Sequence, residues 1–136
     1  LETLSHYPEL ISKSYASKLI TSYHNFDHTP PNQDLHAIID QMTQYNPHIH
    51  KLACRSNSRS DTNRLLKLIL DHPHLNTIII GMGSHGTLTR IIGPLLGGYL
   101  TFATIDKQTS SAPGQIEVGK LKHIYDEIEK INKINN

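Results

Sequence analysis

The sequence of 136 residues lacks the marks of several large classes of protein. It has a single cysteine, Cys54, so no disulfide can form within the chain, and we expect a reducing, cytoplasmic location. Lys and Arg number 13 against 12 Asp and Glu, which leaves a formal net charge of +1, and no basic tract is present. This balance argues against nucleic acid as the main partner.

Long apolar runs are missing as well. No run approaches the roughly 20 apolar residues that cross a bilayer, so we predict no membrane span and no membrane partner. No basic and then apolar leader opens the chain, which begins at Leu1 rather than Met, and we expect a fragment of a longer product. Hydrophobic residues make up 37% and charged residues 18%, which fits neither a disordered chain nor a coiled coil. The length suits one domain, so residues 1–136 are treated as a single region.

Short runs rich in β-branched residues alternate with stretches of helical periodicity. The runs predict four strands, at residues 19–23, 50–54, 77–82 and 99–103. The periodic stretches predict five helices, over residues 8–17, 32–42, 60–72, 88–95 and 118–131. The predicted N-cap of the second helix is Asn32, and that of the third helix is Ser60 or Asp61. This alternation predicts an α/β fold with a parallel sheet and right-handed crossovers. Periodicity alone leaves open whether the sheet is open or part of a barrel.

Several residues with useful chemistry lie near the predicted strand ends, where parallel α/β folds gather reactive groups. They are His24, Lys51 and Met82, and Arg90 follows in the next helical region. A histidine titrates near neutral pH and can shuttle protons. Because the chain has ten histidines, the alternative for His24 is a surface or structural role.

Lys51 lies inside a predicted strand. By the period of two, it shares a face with Ala53 and Arg55, opposite Leu52 and Cys54. If the opposite face packs on helices, Lys51 points to the other side of the sheet. In a barrel that side is the interior, where loss of hydration favours the neutral amine that attacks a carbonyl. The alternative is a lysine near a strand end that reaches solvent.

Two loops have the composition of binding loops. Residues 83–86 (GSHG) follow a buried strand and open a helix, so their backbone amides could hold an anion. Residues 110–115 (SSAPGQ) follow the last predicted strand, and the Ser and Gln side chains, Ser111 and Gln115 among them, could hydrogen-bond a hydroxylated ligand. The alternative for the second loop is an ordinary Pro-Gly turn.

Histidines also occur in two closely spaced pairs, His48 with His50 and His72 with His74. Both pairs lie at helix-to-strand turns, away from the expected active site, and the sequence offers no acidic or cysteine partner to complete a ligand set. We therefore predict no functional metal, and any cation bound there would be incidental.

Five segments resemble the type I 3-dehydroquinate dehydratase family, in the same order and at the same spacing. They are SYHNFDHTP (22–30), HKLA (50–53), GMGSHGTLTR (81–90), GGYLTFAT (97–104) and SAPGQ (111–115). The resemblance covers nearly the whole chain and implies a (β/α)8 barrel, of which this chain would supply about the last four β/α units. It also implies a lyase of the shikimate pathway and of aromatic amino-acid biosynthesis, which dehydrates 3-dehydroquinate to 3-dehydroshikimate without a cofactor.

The same resemblance assigns roles to residues. Lys51 would form a Schiff base with the substrate ketone, and His24 would be the general acid and base. The implied substrate-binding residues are Arg90 for the carboxylate, Ser111 and Gln115 for the carboxylate and ring hydroxyls, and Met82 for the pocket wall.

The family barrel has eight strands and this sequence predicts four. We therefore expect the chain to form a homodimer or to pair with the N-terminal half of a barrel, and to have little activity alone.

Two other families offer alternatives. IIIGMGSHGTLTRIIG (78–93) resembles the nucleotide loop of a universal-stress-protein-like module, although the Gly-Ser or Gly-Thr that should follow it is replaced by Gly97-Gly98-Tyr99. A class I aldolase-type barrel would share the Schiff-base lysine but not the HNF and SAPGQ segments.

Overall fold

The computed structural model describes residues 18–105 and 114–134. The predicted helix over residues 8–17 and the predicted site residue Ser111 lie outside these ranges. Three parallel strands form one sheet in the order β1-β2-β3, where β1 is Ile20–Asn25, β2 is Ile49–Arg55 and β3 is Thr77–Met82. The helices are α1 (Asn32–Thr43), α2 (Arg59–Asp71), α3 (Thr87–Leu95) and α4 (Val118–Ile134). This order confirms the predicted parallel α/β arrangement for the described residues.

The middle strand β2 is covered on both faces. Leu52 and Cys54 belong to an apolar cluster with side chains of α1 and α2. The other face carries a second buried cluster, made of Ile49, Ala53, Ile78, Ile80 and Met82. Lys51 alternates with Leu52 along the strand and so lies on this second face, as the period of two predicts.

Two helices begin at residues other than the predicted N-caps. Asn32 is the first helical residue of α1, and the N-cap is Pro31, whose extended conformation its own ring favours. In α2 the N-cap is Ser58 rather than Ser60 or Asp61. Ser58 is extended, and its hydroxyl accepts a hydrogen bond from the backbone N–H of Asp61 at 3.2 Å.

The predicted fourth strand over residues 99–103 is wrong. Tyr99 donates one backbone hydrogen bond to the carbonyl of Thr77 at 2.7 Å, but the residues after it do not join the sheet. The carbonyl of Phe102 instead faces the guanidinium of Arg90, and Thr104 forms an isolated bridge with Glu117. After Tyr99, the carbonyl of Phe102 thus bonds to a side chain of α3, and Thr104, just beyond the predicted strand, bonds to Ile116 and to Val118 at the start of α4.

Among the helices in the described ranges, none combines the length and the apolar character needed to cross a membrane.

Candidate active site

A cavity of about 290 Å³ opens at the carboxyl ends of the strands. The described residues that line it are His24, Phe26, Lys51, Ala53, Ile80, Met82, Arg90, Phe102 and Gln115. Five of the six predicted site residues are therefore brought together, namely His24, Lys51, Met82, Arg90 and Gln115. The sequence places them on three strands, one helix and one loop, so the parallel topology is what joins them.

His24 and Lys51 lie on neighbouring strands. In the register of β1 with β2, His24 pairs with Ala53 and Lys51 pairs with Ser22, so the histidine lies one side-chain layer closer to the cavity mouth. Partial burial, and then the positive charge of Lys51, lower the pKa of His24. The neutral imidazole, which can accept a proton, is therefore favoured at pH 7.

An aromatic ring contacts each of these two side chains. The ring of Phe26 stacks on His24, with 6.0 Å between centroids and 23° between planes. The Nζ atom of Lys51 lies 5.2 Å from the centroid of the Phe102 ring, within the range of a cation–π contact. Both His24 and Phe26 remain exposed, so the imidazole stays accessible to solvent, whereas Lys51 is half-buried.

Arg90 is the most deeply buried cation of the site, with 1% of its surface exposed. Its Nη1 donates to the carbonyl of Phe102 at 3.5 Å, while its Nε and Nη2 have no partner in the described part of the chain. Burial lowers the pKa of this guanidinium, so keeping the charge there has a cost. A cavity-lining guanidinium with unused donors is suited to bind a carboxylate through its planar fork.

A close approach of two glycines sets the position of Arg90. The hydroxyl of Thr89 accepts from the N–H of Gly81 at 2.8 Å and donates to the carbonyl of Gly86 at 2.7 Å. A β-carbon at Gly81 would lie 2.7 Å from the Cα of Gly86, so the end of β3 and the start of α3 meet backbone to backbone. Gly81 and Gly86 thus serve this junction.

Four wall residues were not predicted as site residues: Phe26, Ala53, Ile80 and Phe102. Two signals could have found them. Ala53 and Ile80 share the strand faces of Lys51 and Met82 by the period of two, and both phenylalanines stand inside the quoted HNF and LTFAT segments.

The described residues contain no group of three or more His, Cys, Asp or Glu side chains arranged to hold a metal ion. The predicted histidine pairs do not share one surface either, because His50 is buried beneath the helices with 3% of its surface exposed.

A model of one protein family, described as type I 3-dehydroquinase, matches residues 4–132. The chain belongs to this family. Over 117 residues it is 41% identical to the 3-dehydroquinate dehydratase of Coxiella burnetii (strain Dugway 5J108-111), which covers 85% of this chain and 50% of that protein. The 3-dehydroquinate dehydratase of Methanococcus vannielii is 42% identical over 129 residues, which covers 95% of this chain and 56% of that protein.

Solved dehydroquinases have the same fold. The crystal structure of 3-dehydroquinate dehydratase from Geobacillus kaustophilus HTA426 matches 91% of this chain and 51% of its own, with a TM-score of 0.81 and 30% identity. The predicted fold class is therefore confirmed: the parallel sheet and its helices match about half of a type I dehydroquinase barrel. The chain likewise spans about half the length of the curated relatives it matches. The nucleotide-binding alternative finds no support in these relatives.

Proposed function

We propose that this chain carries the Schiff-base lysine and the general acid and base of a type I 3-dehydroquinate dehydratase. The reaction would remove water from 3-dehydroquinate to give 3-dehydroshikimate, a step of the shikimate pathway, in the cytoplasm. The observation that supports this best is the cavity in which an amine, an imidazole and a buried guanidinium meet, at Lys51, His24 and Arg90.

The chemistry begins at Lys51. Its neutral amine attacks the C3 ketone of the substrate, and loss of water gives an iminium ion. The iminium withdraws electrons from C2, so the C2 proton becomes acidic enough for a neutral histidine to remove it. The electron pair then forms an enamine, which expels the C1 hydroxyl as water. Hydrolysis of the resulting iminium releases the product and restores the amine.

His24 would carry the protons in these steps. Its lowered pKa favours the neutral form that accepts the C2 proton, and the imidazolium so formed can protonate the leaving C1 hydroxyl. Its place beside the lysine also suits proton transfers during iminium formation and hydrolysis.

The remaining residues would bind and orient the substrate. Arg90 offers its unused donors to the carboxylate, Gln115 reaches the ring hydroxyls, and Met82 forms an apolar wall. Ser111 would bind the carboxylate and hydroxyls with Gln115, a role that the family resemblance supplies. No metal or organic cofactor is needed for this sequence of steps.

The complete active site would need more than this chain. We infer that the remaining walls of the barrel come from a further four β/α units, supplied by an N-terminal half or by a second copy of the chain. The half-length match to the relatives supports this inference.

Borohydride trapping tests the proposal. The chain is incubated with 3-dehydroquinate and sodium borohydride, alone and combined with the N-terminal half of the Coxiella burnetii relative, and digested for mass spectrometry. We expect the reduced adduct on Lys51, no adduct in Lys51→Ala, and an unchanged adduct in Lys67→Ala, since Lys67 lies on α2 and pairs with Asp71. A wild-type chain that gives no adduct in either preparation contradicts the proposal.

A further inference from the structure

A second cluster of polar side chains lies outside the cavity, between α1 and the end of α2. The Nδ1 atom of His36 on α1 is 2.9 Å from the Nε2 atom of His72, which follows α2. The Nε2 atom of His36 is 3.3 Å from a carboxylate oxygen of Asp71, the last residue of α2. None of these residues lines the cavity, and the proposed reaction does not use them.

The protons of this cluster can be assigned from its partners. The carboxylate of Asp71 is ion-paired with Lys67 at 2.6 Å and can only accept, so its position 3.3 Å from the Nε2 atom of His36 favours a hydrogen on that nitrogen. A neutral imidazole has one such hydrogen, and therefore the Nδ1 atom of His36 presents a lone pair to His72. Metal-binding histidines in proteins show the same pattern, with one ring nitrogen anchored to a carboxylate and the other free to bind the ion.

The two ring nitrogens are close to the separation that a metal requires. Zinc–nitrogen bonds of about 2.0–2.1 Å in a tetrahedral site place two nitrogens about 3.4 Å apart. An opening of roughly half an ångström would let His36 and His72 share an ion in place of the proton between them. Both side chains are partly exposed, so the rings have room for this movement and water can reach the ion.

Charged side chains of both signs lie around the two histidines. Asp71 contacts the ring of His36, and the charge of Asp40, one turn further along α1, acts on His72. Lys67 offsets part of the negative charge of Asp71 through their ion pair. His74 also lies near His72, with 6.3 Å between the ring centroids. A bound divalent ion would therefore lie near two carboxylates as well as the ammonium group of Lys67.

We propose that His36 and His72 form a two-histidine site for a divalent transition-metal ion, with Asp71 as the carboxylate that orients His36. Since the described residues hold no group of three or more ligands, water would complete the coordination. Imidazole nitrogens suit Zn²⁺, Cu²⁺ and Ni²⁺ rather than Mg²⁺ or Ca²⁺. A bound ion would tie α1 to the end of α2 without taking part in the proposed dehydration.

Calorimetric titration of the chain with ZnCl₂ tests this site, and MgCl₂ serves as the hard-cation control. We expect one Zn²⁺ per chain and no binding of Mg²⁺. His36→Gln and His72→Gln should each weaken Zn²⁺ binding by 10-fold or more, and Asp71→Asn by about 10–100-fold, because it removes only the orienting carboxylate. His123→Gln, which changes an exposed histidine on α4, should leave the affinity unchanged.

Thermal unfolding gives an independent measure. Zn²⁺ at about 100 times its dissociation constant should raise the Tm of the wild-type chain by several degrees, and should raise the Tm of His36→Gln much less. Circular dichroism checks that each variant keeps the wild-type fold. The proposal is overturned if the wild-type chain does not bind Zn²⁺, or if folded His36→Gln and His72→Gln bind it as tightly as the wild type.

Discussion

Arg90 combines deep burial with unused hydrogen-bonding capacity. Two of its donor nitrogens have no partner in the described residues, although 99% of its surface is removed from solvent. A buried cation without a counter-ion destabilises a fold, because its lost hydration is not replaced. The unpaired donor nitrogens of Arg90 are therefore available to hydrogen-bond an anionic ligand, which would also supply the missing counter-ion.

Replacing this arginine should change the stability of the fold and the binding of substrate in opposite directions. Arg90→Met removes the desolvated charge and keeps an unbranched apolar side chain, so we expect the free energy of unfolding to rise by about 1 kcal/mol or more. The rate of borohydride trapping at low substrate concentration should fall by about 10–100-fold, the value of hydrogen bonds to a charged group. Urea unfolding and the trapping assay measure the two effects.

The matched control is Arg59→Met, which changes an exposed arginine in the first turn of α2. The free energy of unfolding of Arg59→Met should differ from that of the wild type by no more than about 0.5 kcal/mol. Its rate of borohydride trapping should equal that of the wild type. If Arg90→Met trapped substrate as fast as the wild type, Arg90 would not be the carboxylate partner.

The sequence could predict the orientation of some single residues but not the burial of others. The face of Lys51 followed from the period of two, because the buried neighbours Leu52 and Cys54 fix which side packs on the helices. The burial of Arg90 could not be predicted in this way. The hydrogen-bond partner of Arg90 is the carbonyl of Phe102, which lies 12 residues further along the chain and outside the helices and strands.

Among the elements, those with a strong period were predicted well and those fixed by distant contacts were not. The strands β1, β2 and β3 follow the apolar runs closely, and the runs of β2 and β3 are almost wholly buried. The segment over residues 99–103 has the composition of a strand, but the carbonyl of Phe102 accepts from the side chain of Arg90 and not from β3. Composition carries no signal for such contacts, and for the same reason the N-caps of α1 and α2 were displaced by one to three residues.

The junction of β3 with α3 supplies a prediction at this scale. A β-carbon at Gly86 would overlap the backbone of Gly81, so Gly86→Ala must push the first turn of α3 away from the strand. We expect a loss of about 1–3 kcal/mol in the free energy of unfolding. Trapping at Lys51 should also slow, because Arg90 lies in the displaced turn.

Gly119→Ala is the matched control for this change. Gly119 lies in α4, where no other atom of the described residues comes within 4 Å of the added β-carbon, so the same substitution should stabilise the helix by up to about 1 kcal/mol. Urea unfolding of both variants measures the difference. Equal stabilities for Gly86→Ala and the wild type would show that the two backbones can separate without cost.

For the whole molecule, the described sheet has three strands and two edges, formed by β1 and β3. The side chain of Ile20 at the start of β1 is 50% exposed, and Phe26 beside the cavity is 71% exposed. An unpaired strand edge next to exposed apolar side chains favours pairing with another chain. The relatives, which are about twice as long, have further residues available to cover such an edge.

We therefore expect the 136-residue chain by itself to self-associate with increasing concentration, as size-exclusion chromatography with light scattering would show. Ile20→Lys should reduce this association, because a charge at the strand edge opposes pairing with a second strand. Leu70→Lys is the matched control: Leu70 is 54% exposed but lies on α2, away from the edge, so the association of this variant should equal that of the wild type.

Addition of the N-terminal half of the Coxiella burnetii relative should compete with self-association and increase trapping at Lys51. A monomer of 15.3 kDa that stays monomeric at every concentration and is fully active alone would contradict the inference that the site needs a second half.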